Sequence, residues 1–246
     1  MEINADAGES FGRWSLGDQA ELFKHIDAVN IACGFHAGDP TTMRKTVDQA
    51  MEYELSLGAH PGYQDLIGFG RRIIPMAPLS VVDLILYQVG ALDGIVTARG
   101  GTLRHIKPHG SLYGTIARDA ELADLIGRSL VRGYPHLSVY LTPSVGADAL
   151  EMAGVRVVRE NAVDLEFDDE GMNVIDPVPQ EKAPGPIAEQ AVRITQGHVL
   201  TNTGKTVSMH LESICVHGDR VNAPGIAGQV RAALIDAGVH VGPLNA

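Results

Sequence analysis

Short apolar runs alternate with longer amphipathic stretches along most of this chain. The runs predict strands over 2–7, 28–33, 55–60, 103–107, 137–141, 155–159 and 214–217. Between them, helical spacing predicts helices over 41–53, 80–99, 119–132, 146–153, 186–196 and 226–237. The longest has the clearest period: Val81, Ile85, Gln88, Val89, Leu92 and Val96 fall on one face. Ser80 reads as its N-cap, with Asp83 completing an approximate capping box. Asp39-Pro40 is an equally direct start signal for the 41–53 helix, a capping carboxylate followed by a proline preset for the first turn.

Repeated βα alternation with buried strands predicts a parallel sheet joined by right-handed crossovers. Polar residues gather at or just after strand C-terminal ends: Asn4, Asp6, His36, Asp39, His60, Lys107, His109, Thr142, Glu160 and His217. A βα barrel concentrates its chemistry on that face, whereas an open doubly wound sheet concentrates it at one switch point. Seven strands with one polar end favour an irregular seven-stranded (β/α) barrel, and 246 residues suit one such domain over 1–246. Two stretches break the rhythm. Residues 164–186 are acidic and then rich in proline (Pro177, Pro179, Pro184, Pro186), an irregular excursion and candidate lid. Residues 199–209 read as a hairpin around Asn202-Thr203-Gly204-Lys205.

Composition narrows the class. A 45% apolar, 20% charged chain has the make-up of a well-cored globule, and a net charge of −11 argues against nucleic-acid or anionic-membrane surfaces. The two cysteines, Cys33 and Cys215, lie in apolar runs and outside any CxxC pair, so they are expected to be reduced packing residues. The N-terminus has no basic and apolar leader pattern, and no uninterrupted apolar stretch nears the roughly 18 residues of a bilayer span. These features predict a cytoplasmic protein.

Three strand ends carry histidines beside other reactive groups: Cys33-Gly34-Phe35-His36-Ala37-Gly38-Asp39, Gly58-Ala59-His60-Pro61-Gly62, and Arg104-His105-Ile106-Lys107-Pro108-His109-Gly110. Each histidine alone could be a satisfied structural residue, but their recurrence at one barrel end predicts a shared site. Asn4 and Asp6 point the same way from the first strand, with Glu9 just beyond. The competing reading for these carboxylates is helix capping. Asp6 with two of the histidines would make a divalent-metal site with open positions. Lys107 is either a snorkelling lysine or a buried ammonium for a carboxylate, phosphate or oxyanion. Arg71 and Arg72 could clamp an anion or form a solvated loop pair. Two motifs are set aside. The run Thr203-Gly204-Lys205-Thr206 imitates a P-loop end but has Val199 at the first glycine position and precedes a strand. Ser111 and Ser144 lack a nucleophile elbow.

The motifs Asn4-Ala5-Asp6-Ala7-Gly8-Glu9, Asn30 to Asp39, Gly58 to Tyr63, Gly68-Phe69-Gly70-Arg71-Arg72, Tyr87 to Leu92, Lys107-Pro108-His109-Gly110 and Ile214 to Asp219 span most of the chain, which resembles the LamB/YcsF family, the A subunit of ATP-dependent 5-oxoprolinase. The resemblance implies a barrel of the glycoside hydrolase/deacetylase type. It also implies ATP-driven opening of the 5-oxo-L-proline lactam to L-glutamate with separate B and C subunits, and a homo-oligomer is compatible with it. On this resemblance Asp6, Lys107 and His109 are the expected catalytic residues, and Asn4, Glu9, His60, Arg71, Arg72 and Glu160 the expected substrate and ATP contacts. Deacetylase relatives imply a divalent metal on Asp6, His36 and His109. The rival expectations are a metal-dependent amide hydrolase or deacetylase acting without ATP, and a substrate-binding subunit with no catalytic role. One segment departs from the family pattern: Leu165 stands in an arginine place, Phe167 in a tyrosine place, and Asp176 near a later arginine. Loss of a guanidinium there should weaken anion binding if these residues touch the ligand.

Overall fold

The computed structural model of the chain describes residues 1–17, 19–175 and 180–244. Its elements run β1 (Glu2–Ala7), α1 (Gln19–Phe23), β2 (Ala28–Ala32), α2 (Pro40–Glu52), β3 (Ser56–His60), α3 (Pro78–Ala98), β4 (Leu103–Ile106), α4 (Gly110–Arg118) and α5 (Ala120–Gly133). They continue with β5 (Ser138–Leu141), α6 (Val145–Met152), β6 (Val157–Ala162), β7 (Glu166–Phe167), β8 (Asn173–Val174), α7 (Pro184–Thr195), β9 (His198–Leu200), β10 (Thr206–Ser208), β11 (Ser213–Val216) and α8 (Ala223–Asp236). Seven strands close a barrel in the order β1-β11-β6-β5-β4-β3-β2, and every pairing is parallel.

All seven expected strands are present, with ends moved by a few residues. The differences matter at the rim: β4 stops at Ile106 and β11 at Val216, so Lys107 and His217 stand just past their strands. The strand expected over 155–159 lies at Val157–Ala162, which brings Glu160 into the strand itself. Residues 199–209 do contain the antiparallel pair β9–β10. The excursion after Asp164 contains the β7–β8 pair before α7 begins at Pro184. Asp176, Pro177 and Pro179 lie outside the described residues.

Helix starts show how local chemistry decides. Asp39 caps α2 through Thr41 N and Thr42 N, as Asp39-Pro40 predicts. The cap expected at Ser80 is corrected: α3 begins at Pro78, whose fixed φ starts the helix earlier, and Ala77 occupies the cap with no side-chain bond. Helix α3 has no uninterrupted apolar run of bilayer length, since Asp83, Gln88 and Asp93 break it. By length and composition alone it could still cross a bilayer, with an 18-residue window of mean hydropathy 1.6. Its predicted face, Val81, Ile85, Gln88, Val89, Leu92 and Val96, is instead buried in the barrel's helical layer.

The barrel interior is polar. Alternation puts Ile3 and Ala5 of β1 into the hydrophobic layer under the helices, and Glu2, Asn4 and Asp6 toward the axis. There Ser213 Oγ donates to Glu2 Oε1 (2.8 Å), Asn4 Nδ2 to Ser213 Oγ (2.9 Å), and Asn30 Nδ2 to both Asn4 Oδ1 and Asp6 Oδ1 (2.8 Å each). His105 Nε2 meets Asn30 Oδ1 at 2.8 Å, and its ring stacks on Tyr140. Buried amides and hydroxyls need such partners, so this ladder from Glu2 up to Asp6 fills the axis without orphaning its donors.

Candidate active site at the barrel rim

The ladder ends at a cavity of about 500 Å³ whose floor includes Asp6, His60, Lys107, His109, Thr142, Glu160 and His217. Lys107 reaches inward from the end of β4. Its Nζ donates to Asp6 Oδ1 (2.9 Å) and Cys215 Sγ (2.8 Å), and stands 4.0 Å from Glu160 Oε2. Burial alone would discharge this ammonium, but Asp6 and its neighbours hold it well above the ordinary lysine range. Burial likewise opposes ionisation of Asp6, and His60 and Lys107 together keep its carboxyl well below the usual carboxylate range. Lys107 is therefore a buried charged group with a fixed counter-ion, not a snorkelling side chain.

Glu160 takes a hydrogen bond from the Tyr113 hydroxyl on Oε1 (2.7 Å), while its buried Oε2 has no hydrogen-bond partner among the described residues. On the β11 side, His217 Nδ1 lies 2.9 Å from Asp164 Oδ1, and Arg220 Nε donates to Asp164 Oδ2 (2.6 Å). Burial opposes charge on His217, yet Asp164 raises its imidazolium to about 9. Arg71 pairs with Asp219 (2.6 Å) and lies over the Phe69 ring. The outer wall is apolar: Ile73, Leu165, Met172 and Ile175.

Behind the floor lies a second knot. His36, His60 and His109 converge on Glu9, which burial and the Asp6 charge push up to about 7. Burial pushes His36 and His109 well below the ordinary histidine range. Two glycines let the chain fold this tightly. A Cβ on Gly62 would come within 2.5 Å of His36 Nδ1, and Gly70 has φ +64 with its Cβ position 2.8 Å from His109.

The expected residues thus separate into groups. Asp6, Lys107, Glu160, His60, His109 and Arg71 reach the cavity, whereas Asn4 sits below Asp6 in the axial ladder. Arg72 points away, its guanidinium exposed and paired with Asp65, with Nε to Oδ2 at 2.9 Å. The two adjacent arginines thus take different partners, Asp219 for Arg71 and Asp65 for Arg72. The expected metal trio also changes: the atoms that converge with His36 and His109 belong to Glu9 and His60, while Asp6 Oδ1 is taken by Lys107 and Asn30. Of the two departures near 165, Leu165 lines the cavity but Phe167 is packed in the hydrophobic core. Asn30, Tyr113, Asp164 and Arg220 are site residues that sequence reasoning passes over. For Asn30 a signal exists, an amide in the middle of an apolar strand.

A profile described as the LamB/YcsF family matches residues 1–246. The chain is 40% identical to the 5-oxoprolinase A chain of Deinococcus radiodurans, covering 99% of this chain and 97% of that one. It is 41% identical to the protein of the same name from Kocuria rhizophila, covering 98% and 97%. Among solved structures, the lactam utilization protein from Thermus thermophilus superposes with a TM-score of 0.90 at 36% identity, over 99% of both chains. The catalytic domain of a peptidoglycan N-acetylglucosamine deacetylase from Eubacterium rectale shares the barrel, with a TM-score of 0.51 at 11% identity over 99% of this chain and 87% of that one.

Proposed function

This chain belongs to the LamB/YcsF family, and on that premise we propose that it is the A subunit of an ATP-dependent 5-oxoprolinase, opening the lactam of 5-oxo-L-proline to L-glutamate together with B and C subunits. We read residues 1–246 as one catalytic domain working in the cytoplasm, a setting that suits two buried free cysteines. The observation that carries the reading is the buried Lys107–Asp6 pair beside Glu160 on the floor of the rim cavity.

A lactam carbonyl resists water because its nitrogen donates into it, so the reaction needs activation on oxygen. In our reading, the γ-phosphoryl group of ATP passes to the lactam oxygen and leaves C5 electrophilic. The Lys107 ammonium, held charged by Asp6, offsets the negative charge of the transferred phosphoryl group. Water then adds at C5 and gives its proton to Glu160, which lines the cavity and whose Oε2 has no hydrogen-bond partner among the described residues. Collapse breaks the C5–N bond as the ring nitrogen takes a proton, and a second water hydrolyses the resulting acyl phosphate to glutamate and phosphate. Arg71 is placed to steady the substrate carboxylate or the transferred phosphoryl group.

Our reading moves the general-base role away from His109. Its Nε2 faces the Phe69 carbonyl at 2.7 Å and its Nδ1 faces His60 Nε2 at 2.9 Å, so both are turned to protein atoms. Asp6 is a poor base for the same reason that it is a good counter-ion, because its proton affinity is depressed. The test is ATP-dependent release of glutamate, ADP and phosphate from 5-oxoproline by this chain with and without its cognate B and C subunits. We expect turnover only in the full assembly and only with ATP. Amide hydrolysis by the isolated chain without ATP would overturn the reading, as would full assembled turnover by both Lys107→Ala and Glu160→Gln.

A further inference from the structure

The knot behind the cavity floor has a lone-pair problem. His60 Nδ1 lies 2.7 Å from the Lys107 carbonyl, and His109 Nε2 lies 2.7 Å from the Phe69 carbonyl. A carbonyl only accepts, so each of these nitrogens must carry the ring proton. In neutral rings the other two nitrogens, His60 Nε2 and His109 Nδ1, then present bare lone pairs to each other at 2.9 Å. Such an approach is repulsive unless a cation sits between them. Backbone carbonyls holding the outer nitrogens are also the usual means of fixing the tautomer of a metal-binding histidine.

The surroundings supply more lone pairs. Glu9 Oε1 stands 3.4 Å from His36 Nε2, 3.5 Å from His109 Nδ1 and 3.9 Å from His60 Nε2. All four ligand atoms lie within 4.8 Å of one another. Glu9 Oε1 and both ring nitrogens of His36 are buried with no hydrogen-bond partner among the described residues. For bonds of about 2.0–2.2 Å arranged tetrahedrally, ligand atoms stand roughly 3.3–3.6 Å apart. The Glu9 contacts with His36 and His109 fall in that range, and the His60–His109 contact is tighter.

We propose that Glu9, His36, His60 and His109 form a site for one divalent transition ion, zinc by the three-imidazole, one-carboxylate donor set. Zinc suits imidazole and carboxylate ligands, whereas magnesium and calcium favour oxygen donors alone. Four protein ligands describe a closed site, so its first effect is to tie together the C-terminal ends of β1, β2, β3 and β4. The geometry sets one requirement. His36 is stacked on His109 with centroids 3.7 Å apart and planes 4° apart, so its ring must tilt out of that stack to meet the ion in its own plane.

The site stands independently of the lactamase reading, because its test reads metal and not turnover. The full chain, stripped by a chelator, is titrated with Zn²⁺ by calorimetry and with Co²⁺ by visible spectroscopy, and its melting temperature is followed against Zn²⁺ concentration. We expect one tight equivalent, a visible ligand-field band of four-coordinate Co²⁺, and a rising melting temperature. Glu9→Gln and His36→Gln should each weaken Zn²⁺ binding by at least about tenfold. The wild-type chain decides the question even if neither variant folds. No tight equivalent, or a Zn²⁺-free spectrum showing His60 doubly protonated and unmoved by added Zn²⁺, would overturn the proposal, because a proton would then fill the gap between the rings. Unchanged affinity in both variants would also overturn it.

Discussion

Replacing Lys107 with methionine removes the one ammonium on the cavity floor while keeping much of the side-chain volume. It leaves Asp6, which is 2% exposed, without its nearest cation. Removing one partner of a buried pair typically costs about 3–5 kcal/mol, because the other charge is left uncompensated. Here the His217 imidazolium, with Nε2 at 3.8 Å, still faces Asp6, so the loss should fall at the low end, about 3 kcal/mol. For a chain of this size that lowers the melting temperature by roughly 6–12 °C. Asp6→Asn alone should cost less, since Lys107 keeps Glu160 at 4.0 Å. The double variant should recover part of the sum, with a coupling of about 1–3 kcal/mol. Urea unfolding of the four proteins, read at the denaturation midpoint, measures the cycle. In the assembled enzyme, Lys107→Met should also lower kcat by at least about a hundredfold. A melting temperature within about 2 °C of the parent, or single losses that simply add, would refute the claim that a buried ion pair organises this floor.

Adjacent arginines should behave differently: Arg72→Ala, exposed and outside the cavity, should leave assembled turnover within about twofold, and Arg71→Ala should lower kcat/KM at least about tenfold. His217 is raised from 6.5 to about 9, so its charge adds stability that is fully present below about pH 6.5 and is lost as pH rises through 9. The full effect is about 3 kcal/mol, Asp164→Asn should remove most of it, and an imidazole titration midpoint at or below 6.5 by NMR would contradict it. Gly58→Ala would place a Cβ 2.0 Å from the His105 ring, which Asn30 and Tyr140 hold in place; unfolding midpoints should report a loss of about 1–3 kcal/mol or more.

The barrel was legible because parallel strands covered by helices read as short apolar runs, and because the chemistry collected at one end of each run. Two helices were not legible. Helix α1 is only five residues long, and α4 begins with Gly110 and carries Gly114, residues that read as loop. At the site, strand ends gave away Asp6, Lys107, His109 and His217, since a polar residue closing an apolar run has few structural uses. Which oxygen or nitrogen each residue spends on a neighbour is a property of three-dimensional packing. Hence His109 read as a base although its two nitrogens face the Phe69 carbonyl and His60, and Asp6 read as a metal ligand although Lys107 and Asn30 claim one of its oxygens. Arg71 and Arg72 were equivalent as letters, and only their partners in the fold, Asp219 and Asp65, separate them.

Closure of the sheet by β1 against β11 joins residues about two hundred positions apart, with Glu2 opposite Ser213. A nascent chain on the ribosome therefore carries β1 and β6 as open edges until Ser213–Val216 has emerged. Unpaired edges recruit other strands, so messages truncated before that point should yield sticky, chaperone-dependent fragments instead of smaller working barrels.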